Sequence, residues 1–314
     1  MTLDAGSPNV SPAVRHPKAL SLAVLLAALA PGCRSMATGA LADALSSSSG
    51  SYGQDDDPEL IAAAVPFGLK TMEGVLAEKP DHRGLLTALA AGFTQYGYAF
   101  VEQEADTVAA KDLARALEIK VRARKLYLRA KGYAIRGLEV DHPGVAAGLK
   151  ANPDQTLAQM TAEDVPLLYW LAASWGLAIS TAKNDPDLVA DFPLVVKIAM
   201  RALALDEAWN RGSIHELFIT LDAARPGGSL ESARRHFDRA VELSGGLRAG
   251  PYVSLAESVA VKAQDSATFH AMLAKALAVD PDKSPEDRLS NVIMQRRAQR
   301  LKAASADLFL EDTQ

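Results

Sequence analysis

Apolar residues along this chain recur mostly at spacings of three and four, the period of a helix with one buried face. Leu85, Leu86, Leu89, Phe93, Tyr96 and Phe100 predict a helix over about 81–107. Leu113, Leu117, Val121, Leu126, Leu128 and Tyr133, set among many Arg and Lys, predict another over about 109–137. Before them, Asp57-Pro58 supplies a cap and a proline suited to a first helical turn, opening a helix that Pro80 ends. A short helix is expected near 143–149. Thr161-Ala162-Glu163-Asp164 has the form of a capping box and opens a helix through about Lys183. Asp185-Pro186 then breaks the chain. Later helices are expected over roughly 192–205, 213–223, 230–244, 251–262, 267–278 and 285–306. No convincing hairpin is present.

The second half repeats itself. Arg201-Ala202-Leu203-Ala204-Leu205-Asp206 recurs as Arg239-Ala240-Val241-Glu242-Leu243-Ser244 and again as Lys275-Ala276-Leu277-Ala278-Val279-Asp280. Each copy ends a helix and leads through a short loop into the next. A period in the mid-thirties with a small alanine inside each pair is the tetratricopeptide pattern in loose form. Such pairs cannot bury their own apolar faces, so they stack and leave a concave surface.

Composition agrees with helices. The chain is 49% hydrophobic but only 6% aromatic, and Ala and Leu supply most of the apolar residues. Both are strong helix formers, whereas strands favour β-branched and aromatic residues. A net charge of −5 offers no basic face to a phosphate backbone, so nucleic acid is not an expected partner. One cysteine excludes an intramolecular disulfide.

That cysteine closes an N-terminal pattern of its own. Arg15 and Lys18 precede an apolar run from Ala19 to Ala30, and Ala30-Pro31-Gly32-Cys33 follows. The order charged, apolar, small is that of an export signal. A dozen apolar residues is too short for a retained membrane span. Cysteine directly after small residues resembles the bacterial lipobox, in which the thiol is acylated and becomes the new N-terminus. The competing readings are a non-lipidated export signal with an incidental cysteine and a cytosolic protein. The lead before Val14 is not needed for export, and a start at Val14 would give a compact signal. The expected organisation is thus a signal over 1–32, a lipidated N-terminus and flexible Ser/Gly-rich tether over 33–57, and an all-helical domain over 58–314. No later stretch of about eighteen residues is both apolar and free of charge, so no membrane span is expected after the signal.

Motifs for chemistry are missing. There is no phosphate-binding glycine loop and no nucleophile elbow. His215-Glu216 lacks the second histidine of a zinc protease, since Ile219 stands in its place. The chain reads as a non-enzyme without metal or cofactor. Aromatics concentrate instead at Tyr169, Trp170 and Trp175, amid Ala172, Ala173, Gly176 and Ala178. These are candidates for the wall of an apolar ligand cleft, or alternatively for core packing. Phe218 and Tyr252 carry the same two readings. His215, Glu216 and Asn291 are the polar candidates beside them, and capping of a neighbouring loop is the alternative for Asn291.

Together these segments resemble a known family. Tyr169-Trp170-Leu171-Ala172-Ala173-Ser174-Trp175-Gly176 resembles its aromatic helix. Gly212-Ser213-Ile214-His215-Glu216-Leu217 with Pro226-Gly227-Gly228 resembles its central stretch, although the family pattern tends to aromatic or aliphatic residues at His215-Glu216. Ala233-Arg234-Arg235-His236-Phe237-Asp238-Arg239-Ala240 with Leu243-Ser244 resembles its repeat helix, and Arg288-Leu289-Ser290-Asn291 the start of its C-terminal helix. The family is TatT, the tetratricopeptide-like lipoproteins associated with tripartite ATP-independent periplasmic (TRAP) transporters, and the resemblance runs from about 61 to 309. It implies an all-α, tetratricopeptide-like periplasmic lipoprotein; independently of the resemblance, Arg34 after the cysteine, in place of the Asp that retains lipoproteins in the inner membrane of enteric bacteria, favours the outer membrane under those sorting rules. The resemblance further implies a possible homotrimer, an apolar cleft for a small hydrophobic ligand, and docking of the transporter's substrate-binding protein. The alternative is a helical-repeat scaffold that binds a protein partner and no ligand.

Overall fold

A computed structural model describes residues 1–2, 38–47, 52–225 and 228–310. The signal and Cys33 lie outside the described residues, as do Pro226 and Gly227. Among those described, every regular element is a helix and none is a strand.

The chain opens with α1 (38–47) and α2 (Pro58–Glu78), then α3 (Arg83–Tyr96) and α4 (Gln103–Val108), joined by a π-helical turn over Gly97–Glu102. Next come α5 (Leu113–Asp141), the short α6 (Val145–Ala151) and α7 (Pro153–Ala158), α8 (Val165–Ser180), α9 (Pro186–Ala190) and α10 (Phe192–Leu205). The C-terminal half holds α11 (Ser213–Ala224), α12 (Leu230–Ser244), α13 (Gly250–Leu255), α14 (Ser266–Ala278) and α15 (Arg288–Ala303). A second π-helical turn, Ala256–Ala260, extends α13.

Several ends are set by the residues the sequence points to. The Asp57 carboxylate accepts from the Leu60 amide at 2.9 Å with Pro58 in the first turn. Thr161 and Asp164 form the reciprocal capping box before α8. Elsewhere local propensity is overridden. The run expected as one helix over 81–107 contains the π turn, and so does the run over 251–262. The segment expected as a tether contains α1, whose Ala42 is fully buried against Leu69, Leu85 and Leu89. Tyr52 packs with Ile61, Leu289 and Ile293, and the Gly53 carbonyl accepts from the Leu289 amide at 2.9 Å. Ordered packing therefore begins before Pro58.

Among the described residues, α2 is long and apolar enough to cross a membrane by length and composition. Here it is an element of the fold, with Ile61, Leu69, Met72 and Leu76 buried. Its other face leaves Leu60 and Phe67 in solvent, the latter 79% exposed.

Two bodies of core are the largest among the described residues. One gathers α5, α8 and α10 around Leu138, Leu168, Leu171, Trp175 and Ile198, and the other gathers α12–α15 around Val253, Phe269 and Leu273. Ala202, Ala240 and Ala276 are all buried. Ala240 lies under the turn into α11, where Gly212 takes φ +90° and a side chain would run into Leu243 and the Ala240 backbone. That is a position where only glycine combines the left-handed backbone with the close approach. Finally α15 returns to α2: Ile61 packs with Leu289 and Ile293, and Arg296 pairs with Glu59. α2 and α15 thus meet beside a large cavity whose wall both help to line.

Candidate functional site

The cavity has a volume of about 1690 Å³ and draws its walls from α2, α3, α8, α11, α13 and α15 and both π turns. That exceeds the roughly 300–1,000 Å³ of a typical small-molecule site. One wall is aromatic. Tyr169 meets Trp170 edge-on at 4.8 Å between ring centroids and Trp209 at 4.7 Å. Such tilted and edge-on pairs at this spacing are favourable arrangements.

Trp209 is placed by a strained turn. Asn210 and Arg211 both adopt left-handed backbone, φ 45° and 55°, and Gly212 follows. Non-glycine residues there cost energy, so surrounding bonds must enforce the conformation. They come from Arg248, which donates to the Asn210 carbonyl at 2.6 Å and to the Ser213 hydroxyl at 2.9 Å. Arg248 also clamps Asp287 through Nε at 3.0 Å and Nη2 at 2.7 Å. Burial alone would raise the Asp287 carboxyl, but the Arg248 guanidinium holds it below its usual value.

Glu216 stands next to this pair without a hydrogen bond of its own. Its carboxylate lies directly over the backbone of Gly250, where any Cβ would overlap it. It opens into the cavity yet sits deep in the molecule. Burial pushes its pKa up to about 7, with Arg248 opposing and Asp287 adding to the rise.

The opposite bank is built on the π turns. Tyr98 and Glu102 come from the first and Glu257 from the second. Arg297 of α15 links them: it grips Glu257 through two bonds of 2.6 and 3.0 Å, reaches Asp106 at 3.3 Å, and lies 5.6 Å from the Tyr98 ring centre. Burial pushes the Tyr98 phenol up to about 12, with Arg297 opposing. Glu102 accepts from the Tyr127 hydroxyl and is raised by burial. π turns are rare and recur at functional sites, since the extra residue re-aims side chains.

Of the residues singled out from sequence, Tyr169, Trp170 and Glu216 line the cavity. Five others lie outside its wall. Trp175 is buried in the α5–α8–α10 core with the Lys131 ammonium over its ring at 3.2 Å. Phe218 stacks on His236 at 4.8 Å, and His215 Nδ1 meets His236 Nδ1 at 2.8 Å, so both face α12. The reason is helical phase: Glu216 and Phe218, two apart, point about 200° apart. Tyr252 stands in the same relation to Gly250 and Ser254, and packs edge-on against Phe237 at 5.6 Å. Asn291 is the loop cap, accepting from the Ala249 amide and donating to the Leu247 carbonyl, each at 2.9 Å. It thereby holds the segment carrying Arg248 and Gly250. Trp209, Arg248, Asp287, Tyr98 and Arg297 carry no sequence motif; only their convergence in space marks them.

No group of three or more His, Cys, Asp or Glu side chains among the described residues has the geometry of a metal site.

Among the described residues the fold is an all-α arrangement with a large, mainly apolar cavity that carries a few fixed polar groups. Comparison with known proteins gives the particular family: residues 54–309 match the TRAP transporter T-component, and the chain belongs to that family. It is thus an accessory component of TRAP-type transport systems. An uncharacterized protein of Treponema pallidum (strain Nichols) is 29% identical over 267 residues, which cover 83% of each chain.

Proposed function

We propose that this protein is a lipid-anchored periplasmic accessory of a TRAP transporter that binds a small hydrophobic ligand in the large cavity and exchanges it with a docked substrate-binding protein. The observation that supports the reading is the cavity itself. About 1690 Å³ in a domain of this size is far more than packing defects leave, and its walls are mostly apolar. On this reading Tyr169 and Trp170 form the ligand wall with Trp209, and Asn291 positions the loop that completes it. Assembly into a homotrimer, as the family resemblance implies, would bring several such cavities into one particle.

Native mass spectrometry of the purified protein tests the proposal. Co-purifying small apolar molecules are expected on the wild type and reduced on Trp170→Ala. Uniform absence of bound molecules, with added apolar probes also failing to bind, would favour the scaffold reading.

A further inference from the structure

The cavity's polar groups do not cancel evenly. Arg248 is fully engaged by Asp287, the Asn210 carbonyl and Ser213. Arg297 is engaged by Glu257 and Asp106. Arg83, at another part of the wall, is engaged by Asp141 and Asp164. Glu102 is answered by the Tyr127 hydroxyl. Glu216 alone among these carboxylates has no hydrogen-bonding or ion-pair partner, and it faces into the cavity. Tyr169 lies within electrostatic reach of it, and Tyr169 is the centre of an aromatic cluster, 4.8 Å from Trp170 and 4.7 Å from Trp209 between ring centroids. Gly250 leaves the space the carboxylate occupies, so its placement is built into the backbone on which it rests.

An acceptor-only anion beside several π faces is a recognition site for a cation. Aromatic rings attract a desolvated cationic nitrogen through their quadrupole, most strongly Trp and Tyr, and a nearby carboxylate supplies the countercharge. Beside Glu216 a fatty-acid head would meet the opposite, an unpaired like charge with Arg248 already committed to Asp287; the wall's lysine, Lys183, is an exposed side chain of the loop after α8. A neutral hydroxyl head would satisfy one oxygen of Glu216 but leave its charge unanswered. The remaining walls, toward Leu217, Leu221, Leu289 and Met294, are apolar and accept a hydrocarbon portion.

We propose that the cavity selects amphiphiles whose head is a positively charged amine, held between Glu216 and the Tyr169–Trp170–Trp209 cluster, with the apolar tail along α11 and α15. The proposal rests on the reading of the cavity as a ligand site. The full-length protein is titrated calorimetrically with decyltrimethylammonium, decanol and decanoate, each below its micelle-forming concentration, at a pH above 8 where Glu216 is ionised. The expected order is decyltrimethylammonium tighter than decanol by about tenfold or more, and decanoate weakest. Glu216→Gln should reduce decyltrimethylammonium affinity by about tenfold while leaving decanol within about twofold. The glutamine keeps the side chain's shape and removes a buried charge, so folding is retained. Equal binding of the three probes, or decyltrimethylammonium binding unaffected by Glu216→Gln, would overturn cation selection while leaving the cavity reading intact. Failure of all three to bind would overturn both.

Discussion

At the scale of single residues, Glu216 dominates the chemistry. An isolated carboxylate is expected near 4.5, and burial lifts this one to about 7. The folded state therefore holds a proton that the unfolded state releases between those values. This contribution to stability is fully present below about 4.5, falls as pH rises, and is gone above about 7. The penalty amounts to roughly 3 kcal/mol at most, by the value of one pKa unit. Glu216→Gln should thus melt at a higher temperature than the wild type above pH 7, with the gap closing as the pH falls toward 4.5. Melting curves by circular dichroism across that range check it; a gap independent of pH would show that Glu216 is solvated rather than buried. His215 and His236 are affected in the opposite sense, since burial lowers both. Their Nδ1 atoms share one hydrogen bond that a doubly protonated pair could not make.

Among elements, most helices were legible from spacing, and α10 and α12 begin and end where the pattern places them. Caps and prolines mark local events, so residues such as Asp57 and Thr161 announce themselves. The π turns did not, because an extra residue inside a helix leaves the threes-and-fours rhythm nearly unchanged. Which face of α8 or α11 meets the cavity was equally hidden. Both faces of α8 are apolar, and only the partners α5 and α10 decide that Trp175 is core while Trp170 is wall. The two tryptophans should therefore respond differently. Trp175→Ala should cost about 3–5 kcal/mol in chemical denaturation, whereas Trp170→Ala should cost clearly less, because its ring already borders open space. Equal losses would place both in the core. The small residues between stacked helices make a second test. Ala240→Leu should overpack the turn at Gly212 and destabilise by about 1–3 kcal/mol; an unchanged midpoint in urea would mean that this junction has slack.

For the whole molecule, packing of Tyr52 and Gly53 against α15 and of α1 against α2 and α3 leaves only a short stretch between Cys33 and the folded body. If Cys33 carries lipid, the domain rides close to the bilayer, with the exposed Leu60 and Phe67 of α2 not far along the chain from the anchor. Two or more acyl chains give stable attachment where a single chain does not. Cys33→Ala should accordingly move the protein from the membrane fraction to the soluble fraction on cell fractionation, and unchanged partitioning would exclude the anchor. The two π turns have a consequence of another kind. Each holds one residue beyond what a regular helix would use, so the wall bearing Tyr98, Glu102 and Glu257 is separated from a plain helical wall by a one-residue insertion. Deleting one residue between 97 and 101 would return the turn to regular helix, leaving α4 in phase while re-aiming the side chains within the turn itself. A codon gained or lost within such a turn therefore alters the lining of the cavity, as a codon exchanged does. Two relatives can then match position for position in their helices and still present different interiors to what they carry.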